Sequence, residues 1–259
     1  MPRFAANLTM MFPEVEFLDR FEAAAGVGFE AVEFLFPYDF SPDVLKEKLD
    51  CFGLEQVLIN APAGAWDAGE RGLAALPGAG KRFAESIRVA LEYAKTLDCP
   101  RIHVMAGIAA DAHERGEEFE RYVERIRYAA DEAARAGRGV TIEPLNPRDM
   151  PGYFLTSVHD AVEVLAAVDR PNAGLQLDFY HAQIVHGDLT ILLREVIEHV
   201  THVQIAAVPN RDEPDRGEVS FAHVLGELDA LGYRGWVGCE YVPAGATVAG
   251  LTWMDPYRE

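Results

Sequence analysis

The sequence predicts one α/β domain, a (β/α)8 (TIM) barrel covering residues 1–259. Three observations carry this reading. Eight short apolar or β-branched runs alternate with amphipathic segments, and repeated strand-then-helix order specifies parallel strands with right-handed crossovers. The length of 259 residues matches the ~250 of a single closed barrel, and 49% hydrophobic residues can fill its core. Polar residues end the last four runs: Glu143, Asp178, Gln204 and Glu240 stand 35, 26 and 36 residues apart, each about one strand, one helix and two short loops. An open doubly wound sheet is the alternative, and eight units favour closure.

The runs follow in order. RFAANL is the first strand, and PEVEFLDRFEAAAG has the apolar stripe of a helix ending at Gly26. AVEFLF is the second strand, followed by SPDVLKEKLDCFG, the shortest helical candidate. EQVLINA leads into a long irregular stretch, APAGAWDAGERGLAALPGAG, and then the helix KRFAESIRVALEYAKTL. RIHVMAG precedes the clearest helix, EEFERYVERIRYAADEAARAG, in which Phe119, Tyr122, Val123, Ile126, Ala129, Ala130 and Ala133 share one face and Gly137 offers a stop. GVTIEPL and GLQLDFY are the fifth and sixth strands, with SVHDAVEVLAAV between them and LTILLREVIEHV after. THVQIAAV runs into the irregular PNRDEPDRGEVS, then the helix FAHVLGELDALG and the last strand, WVGCEYV. AGATVAGLTWMDPYRE, short and broken by Gly and Pro, reads as a docked tail. Both long irregular stretches follow the C-terminal end of a strand, the functional face of a barrel, so they are candidates for substrate cover.

The 23 Lys+Arg against 42 Asp+Glu give a net charge of −19, which opposes binding to nucleic acid or anionic membrane. An anionic small substrate would also be repelled, so its site needs a positive charge of its own, from a metal ion or an arginine. Cys51, Cys99 and Cys239 are an odd, widely spaced set that reads as reduced thiols, with Cys239 behind the barrel wall. Nothing approaches the ~18 apolar residues of a membrane span, and the N-terminus lacks a signal-peptide core, so the expected location is the cytoplasm. Self-association into a homo-oligomer is compatible with the fold, but no interface signal stands out.

Glu143, Asp178, Gln204 and Glu240 are the expected metal ligands. An oxygen-only set suits a hard divalent ion such as Mg2+ or Mn2+ better than zinc. Taken singly, each strand-end acid would read as a helix cap or an arginine partner; all four on consecutive strands read as a site. Glu143 and Glu240 form a carboxylate pair that can take a proton from one carbon and return it to the next, if one starts ionised and the other can donate. His181 could donate to a substrate oxygen, and Arg211 could pair a substrate carboxylate. Glu33 and His103 also occupy strand ends and are expected to line the pocket without binding metal. Trp66 is equally compatible with closing over substrate or with ordinary packing. His113, His159, His186, His199, His202 and His223 show no ligand spacing and are expected on helices or loops.

The strings VEFLFPYDF, GERGLAALPG, HVMAG, TIEPLNPRDMPGYF, LDFYHAQ, HVQIA and the RDEPDRGE segment resemble the hydroxypyruvate isomerase family of xylose isomerase-like barrels, over nearly the whole chain. The resemblance implies interconversion of hydroxypyruvate and 2-hydroxy-3-oxopropanoate (tartronate semialdehyde). It also implies that Glu143 and Glu240 are the proton donor/acceptor pair, that Glu143, Asp178, Gln204 and Glu240 hold the divalent metal, and that His181 and Arg211 contact substrate. Related ketose 3-epimerases usually carry histidine where Gln204 stands, which leans this chain towards the hydroxypyruvate isomerase branch. Where the family often reads QIADxPGRxEPGTGE, this chain has QIAAVPNRDEPDRGE, so Ala207, Asn210 and Asp215 replace an acidic and two glycine positions. These changes bear on substrate identity, and 2-oxo-tetronate isomerase or ketose 3-epimerase activity is the alternative. An endonuclease-like hydrolase would call for several histidines and a basic DNA-facing surface. A non-catalytic sugar-acid binder would not need the glutamate pair.

Overall fold

The structure, a computed structural model, describes residues 1–108 and 115–258. His113 lies outside the described residues. Eight parallel strands pair in chain order, and the last closes on the first: β1 (Arg3–Asn7), β2 (Ala31–Phe34), β3 (Glu55–Asn60), β4 (Arg101–His103), β5 (Gly139–Ile142), β6 (Ala173–Asp178), β7 (Val200–Ile205) and β8 (Trp236–Cys239). Each expected strand is present, and each pairing stops before its apolar run does. Val104, Met105 and Leu145 stay buried past the last paired residues of β4 and β5, where the chain leaves the sheet to line the upper face.

Among the described residues nine α-helices surround the strands: α1 (Arg20–Gly26), α2 (Pro42–Phe52), α3 (Gly80–Thr96), α4 (Arg115–Arg135), α5 (Val158–Val168), α6 (Phe179–Val185), α7 (Leu189–Val196), α8 (Phe221–Ala230) and α9 (Thr247–Gly250). Ser41 and Ser157 cap α2 and α5 by accepting from Val44 N and Asp160 N. Phe179 and Tyr180, expected to extend the sixth strand, instead open α6. The Asp178 Oδ1 accepts from Tyr180 N at 2.8 Å and stops the strand as a helix N-cap. The tail docks as expected, with the Trp253 ring edge-on to Phe4 at 5.0 Å. None of these helices is long and apolar enough to cross a membrane. Cys51, Cys99 and Cys239 are free thiols, and Cys239 is buried.

The barrel centre is a polar floor rather than an apolar plug. Glu33 Oε2 lies 2.6 Å from His202 Nε2, and Glu33 Oε1 accepts from Asn7 Nδ2 at 2.9 Å and Gln204 Nε2 at 2.8 Å. Gln176 Nε2 donates to Gln204 Oε1 at 2.7 Å, while its own Oε1 accepts from Thr141 Oγ1 at 3.0 Å. His202 is thus on a strand facing inward, not on a helix or loop, because strand alternation sends it to the same side as Gln204. Glu33 belongs to this floor instead of lining the pocket above. Gly238 makes room for it, since a Cβ there would run into both Glu33 carboxylate oxygens.

Candidate active site

Of the predicted residues, the upper face places Glu143, Glu240, His181 and Arg211 around one cavity of about 170 Å3, lined also by His103, Asn60, Asp149 and apolar side chains. Glu143 follows β5, Asp178 ends β6 and Glu240 follows β8, so neighbouring strand ends converge their carboxylates. Ligand atoms of Glu143, Asp178 and His181 all lie within 4.8 Å of one another. Arg211, in the β7 loop, reaches in from a left-handed backbone position (φ 58°). Its Nη2 is 3.4 Å from Glu240 Oε2 and 3.6 Å from Asp178 Oδ2, and its guanidinium lies 4.8 Å from the Tyr180 ring centre. Trp66 lines the cavity yet is 41% exposed, with Phe36 at 5.4 Å between ring centres.

Burial dominates the electrostatics. It pushes Glu240 up to about 8 and Asp178 up to about 6, in both cases against the pull of Arg211. Glu143 rises well above the usual carboxylate range through burial, then through the Glu240 and Asp178 charges. Burial alone would lower the Arg211 pKa, but Glu240, Asp178 and Glu143 outweigh it and hold the guanidinium above its ordinary value. Burial, then Arg211, keep His181 well below the usual histidine range, so it is neutral at pH 7. Its Nδ1 accepts from the backbone N of Asn146 at 3.1 Å, which puts the ring proton on Nε2. Nε2 faces the site, 3.6 Å from Asp178 Oδ2.

Residues 21–257 match the family described as xylose isomerase-like TIM barrels. The chain belongs to that family. It is 51% identical to a 2-oxo-tetronate isomerase of Cupriavidus necator, covering 99% of each chain. It is 41% identical to a hydroxypyruvate isomerase of Escherichia coli over the whole of both chains. A crystal structure from Brucella melitensis titled AP endonuclease, family 2, superposes with a TM-score of 0.98 at 51% identity, covering all of both chains.

In this xylose isomerase-like barrel the donor set fits a divalent cation. Glu143 Oε1 and Asp178 Oδ2 are buried with no hydrogen-bond partner among the described residues, which is costly for carboxylate oxygens unless a cation compensates. His181 stands in the same cluster, but its Nε2 carries the proton and so offers a donor, not a ligand lone pair. Gln204 is opposite Asp178 in the strand register, yet its amide is engaged in the floor with Gln176 and Glu33. Its Oε1 retains a second lone pair. His103 lines the cavity as expected. Asn60 was not singled out from the sequence, although it ends β3 as the predicted site residues end theirs.

Proposed function

We propose that this chain is an aldose–ketose type isomerase that interconverts hydroxypyruvate and 2-hydroxy-3-oxopropanoate. The observation that carries the reading is the pair of buried carboxylates, Glu143 and Glu240, lining one small cavity with a single guanidinium, Arg211, between Glu240 and Asp178. The cavity is smaller than the ~300–1,000 Å3 usual for drug-sized ligands, which suits an acid of a few carbons.

Arg211 pairs the substrate carboxylate and His181 Nε2–H donates to a substrate oxygen. One of the two glutamates, ionised, removes a proton from C3, and the other, protonated, delivers one to C2. The hydroxyl proton moves from O3 to O2, so the product is an isomer and no redox partner is needed. Glu143, Asp178 and Glu240, with the free lone pair of Gln204 Oε1, would hold Mg2+ or Mn2+. Such an ion, when bound, polarises the oxo group and stabilises the negative charge of the enediolate.

The second reading is the same chemistry on 2-oxo-tetronate, which adds a hydroxymethyl group at C3; the 51% identity to the Cupriavidus necator isomerase favours it. Nuclease activity draws less support, because the −19 charge gives a phosphate backbone little to pair with. The test is turnover of hydroxypyruvate and 2-oxo-tetronate, in parallel, by protein stripped with chelator and reconstituted with Mg2+ or Mn2+. Metal-dependent conversion is expected, and inertness towards both acids would refute the proposal.

A further inference from the structure

The cavity has two unlike halves. The loops after β5 to β8 supply Glu143, His181, Arg211 and Glu240, while Met10, Leu35, Phe36 and Met105 make the β1 to β4 side apolar. Among the described lining residues on that side, Asn60 at the end of β3 and His103 at the end of β4 are a polar pair set in this wall, with the Trp66 indole beside them. The two are joined, with His103 Nδ1 at 3.2 Å from Asn60 Oδ1. The same Nδ1 is 3.6 Å from Glu143 Oε2. With Asn60 Oδ1 turned to His103 Nδ1, the amide nitrogen points away from the ring.

Asn60 is held firmly. Its carbonyl accepts from the Tyr38 hydroxyl at 2.5 Å, and the residue is only 3% exposed. Its Nδ2 has no hydrogen-bond partner among the described residues. A fixed, nearly buried amide donor beside a largely apolar wall is a recognition element for one oxygen. β3 and β7 stand opposite each other in an eight-stranded barrel, so Asn60 faces the Arg211 loop across the cavity. An acid whose carboxylate pairs with Arg211 sends its far carbon towards Asn60.

We propose that Asn60 is a specificity-determining residue whose Nδ2 donates to the terminal hydroxyl of a four-carbon 3-hydroxy-2-oxo acid, extending the substrate range beyond hydroxypyruvate. The inference rests on the isomerase reading for its reaction and on the pocket alone for its binding contact. In hydroxypyruvate the single hydroxyl is on C3, where the reaction occurs, so it is not available to Asn60. In 2-oxo-tetronate the extra hydroxymethyl group supplies the acceptor oxygen.

The experiment compares kcat/KM for 2-oxo-tetronate and hydroxypyruvate, and calorimetric binding of the unreactive acids 2,3,4-trihydroxybutanoate and glycerate, in metal-reconstituted wild-type protein and the Asn60→Asp variant. Asn60→Asp keeps an acceptor for His103 and removes the donor; its charge acts on both acids, so the four-carbon to three-carbon ratio is the reading. That ratio should exceed one in the wild type and fall about tenfold in the variant, the size of one neutral hydrogen bond. Asn60→Ser, which removes the amide without adding charge, should give the same loss if the Asp variant folds poorly. An unchanged ratio in a folded variant, or a wild-type preference for the three-carbon acids, overturns the proposal. Binding discrimination without turnover would remove the isomerase reading and keep the hydroxyl contact; turnover of both acids with an unchanged ratio would do the reverse.

Discussion

His202 Nε2 lies 2.6 Å from Glu33 Oε2 inside the barrel, joining β7 to β2 across 169 residues of sequence. The same carboxylate holds Gln204 and Asn7, so one side chain organises the floor on which the metal-ligand candidates stand. Replacing Glu33 with Ala would strand several buried donors at once. A destabilisation of about 3 kcal/mol is expected, read by chemical denaturation. Gly238→Ala should act through the same residue, because its Cβ displaces the Glu33 carboxylate. A loss of about 1–3 kcal/mol is expected there. Wild-type stability in both variants would show that the floor is not structural.

Glu143→Gln and Glu240→Gln should each preserve the fold, since Gln keeps the volume and one oxygen, while kcat falls by about 10²–10⁴. Circular dichroism and steady-state kinetics check the two halves of the statement. Undiminished turnover in either variant would remove the two-carboxylate mechanism.

Arg211→Ala should chiefly raise KM, by about 10–100-fold, the range for a charge-assisted hydrogen bond to an anion. The guanidinium also draws down Asp178 and Glu240, so these should titrate higher in the variant. A change in kcat at constant KM would assign Arg211 to the chemical step instead.

Metal-free protein should lose stability as pH rises. Glu240 is pushed up to about 8 from 4.5 by burial, so over that interval the folded state binds more protons than the unfolded one. The unfolding free energy therefore falls with pH through this window, and the contribution is fully present below it. A cation replaces those protons, so added Mg2+ or Mn2+ should raise the melting temperature more at about pH 9 than at about pH 5. Glu240→Gln should flatten the metal-free profile, and an equally steep profile in that variant would place the titration elsewhere.

All eight strands were legible because each is a short apolar run bounded by turn residues, and the strand-end rule found Glu143, Asp178 and Glu240 without reference to contacts. His181 and Arg211, singled out from the same stretch of chain, line the same cavity. The Glu33–His202 pair was not legible, since it depends on which inward positions share a layer, and neighbouring residues in sequence say nothing of that. The start of α6 was missed because Phe179 and Tyr180 have strong strand propensity, which the Asp178 cap overrides. Gln204 met its expected strand position, but its hydrogen bonds to Gln176 and Glu33 follow from the barrel's closure.

The most direct test is the fate of the transferred hydrogen when metal-reconstituted protein isomerises hydroxypyruvate in D2O. Proton transfer through Glu143 and Glu240 predicts solvent deuterium at C2 of the product, formed by the wild type and lost with turnover in either Gln variant. Product carrying only the substrate's own hydrogen at C2, formed at undiminished rate by the Gln variants, would contradict the account and indicate a hydride shift between the carbons.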